Sequence, residues 1–224
     1  MEDVKIIWSG ITGRTGTQAL AETKKHSFAK IVAGICRNNE NYYNYDNLNN
    51  IELDFDIIVD FSHKDSFDKI LEFALIKRKP LVIGTANLSE EQELAIEKAS
   101  YIIPVFRGGN FRFDVQKFMD DVLNYAKNTD NKLVLKETHY KTKKIPSQTA
   151  QELQKRVLKE TNKYLEIQSF LEYDELINDY RCGPLHCRVI GFESLAFDIL
   201  KICSLMKDKP ANGIWNLHRL LINK

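Results

Sequence analysis

The sequence predicts an α/β fold in two parts, a doubly wound parallel sheet followed by a smaller α+β domain with a mixed sheet. Three observations predict it. Short apolar runs alternate with helically spaced segments through the first hundred residues, as in a parallel sheet covered on both faces. A glycine-rich turn, Gly10-Ile11-Thr12-Gly13-Arg14-Thr15-Gly16, follows the first of those runs directly. Beyond Asn110 several apolar stretches succeed one another without intervening helices, the pattern of a mixed or antiparallel sheet.

In order, residues 4–8, 30–36, 57–61, 80–83 and 101–105 read as strands because each is a short, nearly continuous apolar run. Residues 16–24, 66–76 and 90–99 have helical spacing between them, and Ser89 followed by Glu91 and Gln92 is an N-terminal capping pattern for the last. Residues 38–50, rich in Asn and Tyr, read as a long polar loop with no chemistry of its own. The second half predicts a helix over 114–127, a strand over 132–137, a helix after Thr149, and β-like stretches at 165–173, 186–191 and 195–203. Pro210 then opens a final helix over 211–222 whose apolar side packs back on the first domain. The expected domains are therefore 1–109 plus 207–224 and 110–206.

A chain of 224 residues, 43% of them hydrophobic, has enough apolar material for two modest cores. Its 32 Lys plus Arg balance 31 Asp plus Glu, so no global field recruits nucleic acid or an anionic membrane, and a small anionic ligand must be held by local charge. There is no signal peptide and no apolar run of about 18 residues, as a membrane span requires. Cys36, Cys182, Cys187 and Cys203 lack paired metal-ligand spacing. The expectation is a cytoplasmic protein with reduced, structural thiols and no metal.

The glycine segment has a mechanical rationale. Gly10, Gly13 and Gly16 permit a tight turn, close approach of backbone to a pyrophosphate, and close helix packing, while the following helix presents free N–H groups to phosphate. The spacing is G-x-x-G-x-x-G, and its position after the first strand marks a Rossmann-type dinucleotide site in which Thr12, Arg14 and Thr15 complete the cradle. A strand-to-helix turn with no ligand is the plainer reading. At the end of the second strand the chain reads Gly34-Ile35-Cys36-Arg37-Asn38, with no acid to accept a ribose 2′-hydroxyl. Arg37 instead offers a planar fork for a 2′-phosphate, which predicts NADPH in preference to NADH.

These features, with Asp60-Phe61-Ser62, Val82-Ile83-Gly84-Thr85, Gly109-Asn110-Phe111 and the segment from Glu137 to Ala150, resemble the 4-hydroxy-tetrahydrodipicolinate (dihydrodipicolinate) reductase family. The most specific part is Glu137-Thr138-His139-Tyr140-Lys141-Thr142-Lys143-Lys144-Ile145-Pro146-Ser147-Gln148-Thr149-Ala150, similar to the family's E-x-H-H-x-x-K-x-D-A-P-S-G-T-A with one residue deleted. The resemblance implies a homotetramer that reduces a cyclic dicarboxylate in lysine and diaminopimelate biosynthesis. It also implies that Phe61, Ser62, Gly84 and Thr85 line the cofactor site. By it His139 and Lys143 are the catalytic pair, supplying protons and polarising the ring, although Lys141 or Lys144 could take the lysine's place. Ser147 and Thr149 would grip a substrate carboxylate, or simply cap the helix that follows. Tyr140 and Gln148 stand where the family has a second histidine and a glycine, so substrate contacts at both positions are altered. A second reading keeps dinucleotide binding but makes the protein a sensor of NADP(H), or a reductase of another cyclic imino acid.

Overall fold

The computed structural model describes residues 3–191 and 193–223. The chain divides into two compact units, residues 1–108 with 195–224 and residues 109–194.

The first unit is a five-stranded parallel sheet in the order β2-β1-β3-β4-β5, built from β1 (Val4–Ser9), β2 (Ala29–Ile35), β3 (Ile57–Asp60), β4 (Leu81–Ile83) and β5 (Val105–Arg107). Its helices are α1 (Arg14–Thr23), α2 (Lys64–Lys77) and α3 (Glu90–Ala99). Alternation along the strands sends Ile7, Ile35 and Ile58 to one face, where they share a core with Phe67, Ile70 and Phe73 of α2 and Ile96 of α3. The in-register neighbours Trp8, Val59, Val82 and Phe106 are fully buried on the other face. Both sides are covered, which is why these strands read as continuous apolar runs. The α3 cap is the one the sequence shows, with Ser89 and Gln92 exchanging hydrogen bonds.

Where sequence and structure part, a longer-range contact decides. Residues 101–104 continue the turn out of α3, because the Ile102 and Ile103 amides both donate to the Ala99 carbonyl, and the strand begins only at Val105. The loop after β2 is less polar in effect than in composition: Tyr45, Leu48, Ile51 and Phe55 are buried in the core, and the Tyr45 hydroxyl meets Ser9 Oγ at 3.1 Å.

The second unit is a four-stranded mixed sheet, β7-β6-β8-β9, from β6 (Leu133–Tyr140), β7 (Leu165–Tyr173), β8 (Ile177–Cys182) and β9 (Leu185–Ile190). β6 runs parallel to β7 and antiparallel to β8, which forms a hairpin with β9. Helices α4 (Phe113–Asn128) and α5 (Gln148–Thr161) supply Val115, Met119, Val122, Leu153 and Val157 to one core with Leu133, Leu135, Leu165 and Cys182. Strand β8 was not foreseen, because Asn178, Asp179 and Arg181 hide its apolar alternation.

Residues 195–203, expected as a strand of the second domain, lie instead in α6 (Glu193–Met206), and from Leu195 onward the chain belongs to the first unit. Ala196, Ile199, Leu200, Cys203 and Met206 are fully buried at helical spacing, a periodicity masked by the density of apolar residues. The expected helix over 211–222 shrinks to α7 (Leu217–Ile222), capped by Asn216. Trp215 is extended alongside β5, taking a hydrogen bond from the Arg107 amide at 2.9 Å and giving one to the Val105 carbonyl at 2.8 Å. The four cysteines are free thiols, and burial pushes Cys182 and Cys187 up to about 11.

Candidate active site

In the first unit every cofactor-side residue expected from the sequence falls at the carboxyl ends of the parallel strands. β2 and β3 lie on opposite sides of β1, so the crevice above β1 and β3 is the topological switch point where such sheets take their ligands. Gly10 leaves β1 with φ +78°, its amide and that of Ile11 donating to the Ile35 carbonyl, and an added Cβ would stand 2.2 Å from the Phe61 carbonyl oxygen. At Gly16 a Cβ would meet the Ile11 and Gly10 carbonyl oxygens within 2.6 Å. Gly13 is the N-cap of α1, so no side chain caps that helix, and its first turn carries no acidic residue. Thr12, Gly13 and Arg14 are exposed at this helix start. An uncapped helix start with no competing carboxylate is the arrangement a pyrophosphate requires, so these residues fit a dinucleotide.

Asp60 ties the next two loops together. Its buried carboxylate accepts hydrogen bonds from the Ser62 and Thr85 hydroxyls, both at 2.6 Å, and its carbonyl accepts from the Gly84 amide. Burial raises its pKa against those hydrogen bonds. Thr85, buried and also accepting from the Ser62 amide, therefore works within the loop, where its amide donates to the Asp60 carbonyl and its carbonyl accepts from Arg107. The Phe61 ring lies against Gly84 and stacks on Trp8. Arg37 reaches the Ser66 hydroxyl at 3.3 Å on the edge of a cleft of about 350 Å³ that Asn44, Asp46, Asp65 and Lys69 also line.

In the second unit, β6 carries the chemistry. Leu133, Leu135, Glu137 and His139 face the helices, while Thr138 and Tyr140 face away, so the core stripe of this strand becomes polar as it approaches the start of α5. His139 is not solvated, as a proton donor to a ligand would be: it is fully buried, with Nδ1 2.8 Å from Asn178 Oδ1 and Nε2 2.9 Å from Glu137 Oε2. The Tyr180 ring meets it edge-on. Ser147 is likewise occupied. Its hydroxyl accepts from the Ala150 amide as the cap of α5 and donates to Glu137 Oε2 at 2.5 Å, so the capping reading holds for the hydroxyl. Thr149 is buried, as is Tyr180, whose phenol burial pushes up to about 12.

What remains outward at this end of α5 is backbone and one lysine. The Gln148 and Thr149 amides have no acceptor among the described residues. Gln148 occupies the first helical position, and its side chain leans against Gly109. Of the three candidate lysines, Lys141 pairs with Asp174 in solvent and Lys144 is exposed. Lys143 alone is half-buried, with its ammonium 5.9 Å from the Tyr140 ring centroid. Burial lowers its pKa, and the Glu137 charge opposes that effect.

Glu137 is the residue that sequence reading passed over. It is fully buried and accepts from His139, from the Ser147 amide at 2.8 Å and hydroxyl, and from the Ser169 hydroxyl at 2.6 Å. Burial alone would raise its pKa from the ordinary 4.5, but these hydrogen bonds bring it down to about 2. The folded state thus holds the carboxylate to lower pH than the unfolded chain does. Its stabilisation is full above pH 4.5 and lost as pH falls toward 2. A shift of that size is worth about 3 kcal/mol. Urea titrations from pH 6 to pH 2.5 should show this loss in the wild type and not in Glu137→Gln; equal slopes would contradict it.

Comparison with known proteins agrees with this geometry. A family model described as dihydrodipicolinate reductase, N-terminus, matches residues 4–111. The 4-hydroxy-tetrahydrodipicolinate reductase of Clostridium perfringens (strain ATCC 13124) is 28% identical over 252 aligned positions, covering 97% of this chain and 98% of that protein. The chain is thus similar to the 4-hydroxy-tetrahydrodipicolinate reductase family, over its N-terminal half by the family model and along its whole length by this relative. The family's enzyme from Buchnera aphidicola subsp. Cinara cedri is 32% identical over 177 residues, 69% of this chain and 64% of the relative. That from Caldanaerobacter subterraneus subsp. tengcongensis is 28% identical over 151 residues, 60% of its length, so these two matches span less than two thirds of each relative. A solved structure described as dipicolinate-bound dihydrodipicolinate reductase from Paenisporosarcina sp. TG-14 shares the fold, with a TM-score of 0.72 over 96% of this chain and 97% of that one at 12% identity.

Proposed function

We propose that this protein is an NAD(P)H-dependent 4-hydroxy-tetrahydrodipicolinate reductase of lysine and diaminopimelate biosynthesis. The observation that carries the reading is the start of α5, where two unpaired backbone amides, Gln148 and Thr149, share one short segment with a half-buried lysine of lowered pKa. Amides at a helix start suit a carboxylate. A lysine with a lowered pKa can release a proton at neutral pH, and its charge offsets the negative charge that builds on a conjugated imine during reduction. Tyr140 can donate a hydrogen bond to a second carboxylate in place of the family's histidine. The nicotinamide cofactor supplies the hydride. Gly10, Gly13, Gly16 and the α1 amides would hold its pyrophosphate, with Thr12, Arg14 and Thr15 beside them, and the Phe61-Ser62 and Gly84-Thr85 loops would line the crevice. His139, buried behind Glu137, would act through that carboxylate.

Arg37 gives the cofactor preference, because its guanidinium stands at the adenosine end of the cradle, beside the Ser66 hydroxyl and 3.9 Å from the Asp65 carboxylate that a 2′-phosphate would displace. Arg37→Ala should lower the NADPH-to-NADH ratio of kcat/KM by about tenfold, some 1.4 kcal/mol. An unchanged ratio would remove Arg37 from cofactor selection. The homotetramer is proposed through the sheet face of the second unit turned away from α4 and α5, where Phe170 and Ile190 are exposed beside Arg181 and Arg188. No helix among the described residues is long and apolar enough to cross a membrane, and no group of three metal-ligating side chains occurs among them.

Thermal shift tests the reading. NADPH should raise Tm, and pyridine-2,6-dicarboxylate, a stable product-like diacid, should raise it further. A response to NADPH with none to the diacid would contradict the reductase and indicate a protein that senses the dinucleotide or takes another substrate.

A further inference from the structure

We propose that Glu137 is a positioning residue for substrate, holding the first turn of α5 in the geometry that grips a carboxylate. The proposal rests on the reductase reading, which assigns no role to this side chain.

The argument begins with the cost of the arrangement. A fully buried carboxylate is expensive unless each oxygen is satisfied, and both oxygens here are. Oε1 accepts from the Ser147 amide at 2.8 Å and the Ser169 hydroxyl at 2.6 Å, while Oε2 accepts from the Ser147 hydroxyl at 2.5 Å and His139 Nε2 at 2.9 Å. The four donors come from three places in the chain: β6 itself, β7 through Ser169, and the segment entering α5 through Ser147. One side chain therefore ties the loop to two strands.

The tie falls at the N-cap. Ser147 donates to Glu137 through both its amide and its hydroxyl, and the same hydroxyl oxygen accepts from the Ala150 amide. With Ser147 fixed in this way, the Gln148 and Thr149 amides that follow cannot turn inward to find another acceptor. His139 completes the arrangement from behind, held by Asn178 of β8, its direct cross-strand partner. The fully buried imidazole thus acts through Glu137. The Glu137 charge also acts on Lys143, opposing the lowering of its pKa by burial.

The test uses the full chain as wild type, Glu137→Gln and Ser169→Ala, with two readouts. Hydrogen exchange over residues 145–151 should quicken by about tenfold or more in Glu137→Gln and by less in Ser169→Ala, with the first unit unchanged. In steady-state kinetics KM for the cyclic diacid, and Kd for pyridine-2,6-dicarboxylate, should rise about tenfold in Glu137→Gln, with KM for NADPH unaltered. A purely structural role would change Tm and exchange throughout the second unit and leave the ratio of diacid KM to NADPH KM where it was; that result, or wild-type exchange over 145–151 in a folded Glu137→Gln, overturns the proposal. Should Glu137→Gln fail to fold, Ser169→Ala decides alone, since it removes one hydrogen bond and keeps the charge. A wild-type chain that neither binds the diacid nor oxidises NADPH overturns the reductase reading, and the exchange data still judge Glu137.

Discussion

Lys143→Ala is expected to lower kcat by about 10² or more while leaving NADPH affinity unchanged, a loss typical of removing a general acid. Lys141→Ala and Lys144→Ala should stay close to wild type. The distinction follows from environment, since all three side chains have the same chemistry. Lys141 spends its charge on Asp174 in open solvent, and Lys144 is exposed. Lys143 sits partly out of water near Glu137, so its ammonium is easier to deprotonate than an ordinary lysine and still close to a negative charge. Lys143→Arg should fail to restore kcat, because guanidinium keeps its proton at any working pH. If Lys143→Ala keeps full kcat, the proton donor is another group; if Lys144→Ala loses activity instead, Lys144 takes that role.

Gly10→Ala is expected to be the most damaging single methyl in the first unit. It would place an L side chain at φ +78° with its Cβ 2.2 Å from the Phe61 carbonyl oxygen, a clash with backbone that no rotamer relieves. Relief requires the β1 turn and the Phe61 loop to move apart, at a cost of about 3 kcal/mol or more. For a protein of this size that lowers Tm by roughly 6–12 °C. NADPH should no longer add to stability in the variant, since the displaced turn is the one that would carry the pyrophosphate. Gly13→Ala is the control: its Cβ would meet the Gly10 carbonyl oxygen at 3.1 Å, a contact that a small shift relieves. Equal effects from the two substitutions would contradict the assignment of the turn geometry to Gly10.

Much of the architecture was legible because its causes are local. The strands of the first unit are buried on both faces and announce themselves as apolar runs, Ser89 and Gln92 announce their helix, and the glycine turn announces the crevice. What was illegible depends on partners far away in the chain. Trp215 is extended because β5 offers it two hydrogen bonds, and no local pattern around Pro210 records that. α6 is so apolar that its helical period is hidden, as happens when nearly every position is hydrophobic.

The second unit gives the more instructive case. Alternation along β6 puts His139 on the same face as Leu133 and Leu135, and Tyr140 on the other, so parity alone could have placed the histidine in the core. The family motif drew attention to the histidine as an acid, while the glutamate two residues before it carries four hydrogen bonds. Gln148 shows the converse. It stands where the family has a glycine, and its position in the first turn of a helix makes no conformational demand that only glycine meets.

The most direct test of the whole account is substrate-dependent NADPH oxidation by the purified protein, with 4-hydroxy-tetrahydrodipicolinate generated in place by a synthase from pyruvate and aspartate semialdehyde, beside Lys143→Ala. The account predicts turnover that requires the synthase product and falls by about 10² or more in the variant; NADPH that binds but is not oxidised, or oxidation at equal rates in both proteins, would contradict it.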